Sequence, residues 1–134
     1  MPTDPSSIAA IFSHASQSIR TWYGAHKVSQ QKQEQLKNLA DALVTQSEQL
    51  IDGDVAQILT QTSTDIAKLK DVIIKAKEAI STIKHVGTII SISTDFLGLL
   101  DSIATDPHKL PSVIDSLLTD IATPEGSGPS NPAH

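Results

Sequence analysis

From Val55 to Leu97 the apolar residues keep one alternating four-three spacing. Val55, Leu59, Ile66, Leu69, Ile73, Ala76, Ile80, Ile83, Ile90 and Leu97 fall on it, with Thr62, Gly87 and Thr94 filling the remaining places. The mean step is 3.5 residues, the coiled-coil period of helices packed lengthwise on other helices. Ile58, Val72, Ala79, Val86 and Leu100 occupy the neighbouring heptad position. Three apolar positions in seven mean burial against at least two helices, which favours a bundle over an isolated coiled coil. The pattern predicts a long helix over about 55–104, either one rod or two helices meeting near Gly87.

Shorter patterns flank this run. Ile8, Ile11, Phe12, Ala15, Ile19, Trp22 and Tyr23 share a helical face after Asp4-Pro5, a helix-start pair, so a first helix is predicted over 5–23 with Gly24 as its stop. A second is predicted over 29–51, with an exposed or frayed glutamine-rich start and a stripe of Leu36, Leu39, Leu43, Leu50 and Ile51. In Asp52-Gly53-Asp54, Gly53 suits the end of that helix, and Asp54 with Gln57 forms a capping box for the next. Pro111, Ser112 and Asp115 open a last helix carrying Val113, Ile114, Leu117, Leu118 and Ile121, closed by Pro124. No sequence repeat beyond the heptad is read. The expected fold is an all-α antiparallel bundle of four to five helices. Residues 1–123 form one domain and 124–134 a disordered tail rich in Pro, Gly and Ser.

The segment 86–104 stands apart. It holds no Lys, Arg or Glu, and Asp95 and Asp101 are its only charges. Ile89, Ile92, Phe96, Leu99 and Ile103 give it a second apolar stripe, so it is expected to be the most buried part of the chain. Residues 88–94 are β-branched enough to read as a strand in isolation. The spacing that enters from upstream predicts helix. Nineteen helical residues would span about 28 Å, close to the apolar thickness of a bilayer. This makes the segment a candidate for meeting a membrane or partner, although Asp95 opposes insertion.

Composition narrows the chemistry. The 134 residues carry a net charge of -5, with Arg20 the single arginine, which disfavours nucleic acid as a partner. Aromatic residues are 3 % of the chain, so the core is aliphatic. There is no cysteine, hence no disulfide, thiolate metal site or cysteine nucleophile. His14, His26, His85, His108 and His134 contain no pair at the three- or four-residue spacing that sets two metal ligands on one helical face. The Asp52-Gly53-Asp54 stretch fails as a calcium loop, because Ser63 stands where a bidentate Glu is needed. Asp95 and Asp101 lie six apart, which does not bring two carboxyl groups together on one helix. Trp22-Tyr23-Gly24 shares a Trp-x-Gly tripeptide with a family of small secreted helical hairpins. Helix 1 is too short for that family and the long helix comes third, so three residues assign nothing. The N-terminus has no basic and apolar leader pattern, giving the expectation of a chain that is cytoplasmic or secreted without such a leader.

The expectation is a non-enzymatic interaction or assembly module that self-associates through its long helix. No catalytic, cofactor or metal residues are assigned. Leu59, Ile66, Leu69, Ile73, Ile80 and Ile83 are the packing set, and Lys70, Lys77 and Lys84, seven apart, are the candidate rim. The partner expected is protein, either a second copy, giving a homo-oligomer, or another helical protein. The alternative is a membrane-active protein using 86–104.

Overall fold

The computed structural model describes residues 7–62 and 64–122. They form six α-helices: α1 (Ile8–Ala25), α2 (Gln30–Ser47), α3 (Asp52–Leu59), α4 (Ile66–Ile80), α5 (Val86–Thr105) and α6 (Leu110–Ala122). A 3-10 turn over Pro107–Lys109 leads into α6. The all-α bundle is therefore the architecture, and the β-branched stretch 88–94 is helical.

The long run is not one rod. It folds as α3, α4 and α5, and the helix count rises to six. The first break falls at Thr60–Asp65, where no apolar residue occurs and hydroxyl groups compete for the backbone. Thr60 Oγ1 donates to the Gln57 carbonyl, Thr62 Oγ1 donates to the Leu59 carbonyl, and the Thr64 amide donates back to Thr62 Oγ1. Asp65 then caps α4 by accepting from the Lys68 amide at 2.7 Å. The second break, Ser81–His85, repeats the device: Ser81 and Thr82 hydroxyls donate to the carbonyls of Glu78 and Ala79. Gly87 is not the hinge; it lies in the first turn of α5. A heptad count survives these interruptions because it registers only spacing.

Other boundaries shift for local reasons. Ser7 caps α1 by accepting from the Ala10 amide, while Asp4 and the expected tail lie outside the described residues. Gly24 stays inside α1. Ser29 caps α2, which stops at Ser47, so Ile51 leaves the predicted stripe and is 63 % exposed. Gly53 and Asp54 are inside α3, and no side chain caps that helix; the proposed Asp54 box does not form. The Ser112 box does not form either, since α6 begins two residues earlier.

Five helices close a ring. α1 packs on α2 and α4, α2 on α5, α5 on α6, and α6 on α4, while α3 lies against α4 and α5. At one end the Trp22 indole N–H donates to the Ile83 carbonyl left free by the second break, at 2.7 Å. At the other end Asp52 joins α1 to α4. Its Oδ1 accepts from the Ile8 amide at 2.8 Å and its Oδ2 pairs with Lys70 at 2.6 Å. These ties at opposite ends show that α1 and α4 run in the same direction. The ring encloses one aliphatic core. Phe12 of α1 and Phe96 of α5 meet edge to face within it, with centroids 6.2 Å apart. Where α1 and α2 approach, the buried Ser16 hydroxyl donates to the Ala40 carbonyl at 2.9 Å, so the polar group between these helices is satisfied.

Candidate functional site

Of the expected packing set, Leu59, Leu69, Ile73, Ile80 and Ile83 are buried and Ile66 is partly buried. They belong to α3, α4 and the turn after α4 rather than to one helix. The lysine row is divided as well. Lys70 is drawn into the Asp52 pair, Lys77 is partly buried on α4, and Lys84 lies exposed in the turn beyond it. Ile89, Ile92, Phe96, Leu99 and Ile103 of α5 are all buried in the bundle.

Two surface features remain after the core is assigned. The first is Ile74, which at 36 % exposure joins Ile51 as one of two exposed large apolar side chains among the described residues. Ile74 lies on α4 among Lys70, Asp71, Lys75, Lys77 and Glu78. Asp71 and Lys75 pair along the helix at 3.2 Å. The Asp52–Lys70 pair ties together the two stretches that carry the isoleucines: Ile51 precedes Asp52, and Ile74 is one turn beyond Lys70.

The second is an open groove of about 440 Å³ between α5 and α6, lined by Ile90, Ser91, Thr94, Asp95, Ser116, Thr119 and Asp120. Here the chain does contain a short repeat: Ser-x-x-Thr-Asp occurs at Ser91–Asp95 and again at Ser116–Asp120. Offsets of three and four put each set on one helical face. The short α5–α6 connection turns the two faces toward each other. At Gly98, where the helices come close, an added Cβ would sit 3.3 Å from Val113 Cγ1.

Asp95 is thus set against Asp120, not Asp101, which is exposed. Burial, then the side-chain hydrogen bond with Asp120, then the charge of Asp120 push the Asp95 carboxyl up to about 8. Asp95 Oδ2 is buried and has no hydrogen-bond partner among the described residues. Two carboxylates can only accept. One proton makes one of them a donor and allows a hydrogen bond between the two groups. Reading the sequence helix by helix missed Asp120, because its signal was the repeated five-residue pattern.

Among the described residues no group of three or more acidic or histidine side chains converges to hold a metal ion. No protein-family model, curated protein or solved structure matches the chain.

Proposed function

We propose that the chain is a non-enzymatic helical-bundle interaction module that self-associates through the outward face of α4. The observation that carries this reading is Ile74, an exposed apolar residue centred among charges of both signs on a helix whose other large apolar residues serve the core. An apolar centre with a charged rim is the composition of a soluble helix–helix contact. In a two-fold pairing Asp71, Lys75 and Glu78 would meet their counterparts around Ile74, giving an isologous interface. Because the long run is divided into α3, α4 and α5, the contact is confined to one helix and is correspondingly weak.

Sedimentation or light scattering over a concentration series tests this. The wild type is expected to associate with concentration, and Ile74→Glu to be monomeric with unchanged helical circular dichroism. A wild type that stays monomeric throughout overturns the proposal.

One observation favours a second reading. α5 has 20 residues and contains an 18-residue window of mean hydropathy 1.4, and among the described residues it alone is long and apolar enough to cross a membrane. A buried core helix passes the same test. To meet lipid, α5 would have to leave α2 and α6. Flotation with neutral and anionic vesicles, at neutral and acidic pH, decides the matter, and absence of binding in every case removes this reading.

A further inference from the structure

We propose that Asp95 and Asp120 form a latch between α5 and α6: one proton held between the two carboxyl groups closes the helix pair, and its loss loosens it. Three features of the structure support the latch. The two groups come from equivalent positions of the repeated Ser-x-x-Thr-Asp pattern on helices that face each other. They line one open groove between the two helices, away from the buried core contacts. The Oδ2 of Asp95 is buried without a hydrogen-bond partner of its own, and a carboxyl group lies across the groove from it.

The two carboxyl groups are the only charged side chains among the described residues that line the groove. Ser91, Thr94, Ser116 and Thr119 flank the pair and carry no charge. α2, packed on α5, and α4, packed on α6, contribute no side chain to the lining. Among the described residues no Lys, Arg or His faces into the groove to neutralise a second carboxylate. Asp120 is the one charged group that acts on Asp95. The exchange is simple: closed, the proton is donated by one carboxyl oxygen and accepted by the other; open, it passes to water or buffer, and two carboxylates remain.

The direction follows. With the groove closed, Asp95 holds its proton up to about 8, whereas a solvated aspartate releases it near 4. Between these values, opening releases a proton. The opening equilibrium therefore rises with pH by up to about tenfold per unit, and it levels off above the closed-state value.

Carboxyl-carbon NMR on the full chain, with amide exchange corrected for intrinsic rates, tests the latch. Asp95 is expected to titrate far above the ordinary carboxylate range. Exchange in α6, taken relative to α1, is expected to rise through neutral pH and then flatten. Asp95→Asn and Asp120→Asn should each abolish that pH dependence, while Asp101→Asn should leave it intact. The latch is overturned if Asp95 and Asp120 both titrate in the ordinary range. It is equally overturned if either groove variant changes α6 protection by the same factor at every pH, the mark of a merely structural contact.

Discussion

Asp52 shows how much one side chain can hold and how poorly local pattern reports it. Beside Gly53 and Asp54 it reads as punctuation between helices. In the fold its two oxygens serve different partners: the Ile8 amide at the start of α1 and the Lys70 ammonium on α4. The amide bond satisfies a helix-terminal donor, and the lysine bond is a partly exposed ion pair of small net value. Lys70→Ala should therefore cost less than about 1 kcal/mol, while Asp52→Ala, which orphans the amide as well, should cost about 1–3 kcal/mol. Urea denaturation of the two variants checks the order; equal losses would show that the ion pair dominates. Trp22 makes the same point. Its place on the apolar face of α1 was legible, but its indole partner, the Ile83 carbonyl, exists only because α4 ends before it. Asp95 completes the set. On its own helix the nearest carboxylate, Asp101, stands six residues away and is rightly set aside, while the neighbour that acts on Asp95 sits on the next helix.

At the scale of elements, the sequence carried the class and the buried faces, since both follow from apolar spacing. The residues expected to be buried on α1, α4 and α5 are largely those that are. Continuity was not carried. Threonine at a heptad position fits a helix by spacing and breaks one by hydrogen bonding, and the runs Thr60–Thr64 and Ser81–Thr82 do the latter. Nor was the close approach of α5 and α6 visible, because Gly98 resembles any other glycine until Val113 is set against it. That contact gives a sharp expectation. Gly98→Ala gains helix propensity of about 1 kcal/mol but presses on Val113, so its net effect should be small. Gly98→Val should destabilise by about 1–3 kcal/mol through overpacking. Val113→Ala in that background should recover part of the loss. A double-mutant cycle on thermal or urea stability measures the coupling, and strict additivity would show that the helices do not meet there.

Whether the whole molecule behaves as one unit decides which functional reading can operate. The ring of α1, α2, α5, α6 and α4 buries a single core, and Phe96 of α5 reaches Phe12 of α1 at its centre. Such a core predicts one cooperative unfolding transition. Far-ultraviolet circular dichroism, which sees every helix, and the fluorescence of Trp22, which sees one end of the bundle, should then give coincident midpoints. Phe96→Ala should lower both together, by about 3–5 kcal/mol of stability. The assembly proposal requires this behaviour, because its α4 surface exists only on the intact ring. A membrane-active α5 requires the opposite: a partial opening in which α5 leaves α2 and α6 while α1, α2 and α4 keep their helices. That species would show as fluorescence holding steady while part of the helical signal is lost. Coincident transitions at neutral and acidic pH would leave α5 without a route out of the bundle, whereas separated ones would make its length and apolarity a working feature rather than a consequence of lying at the core.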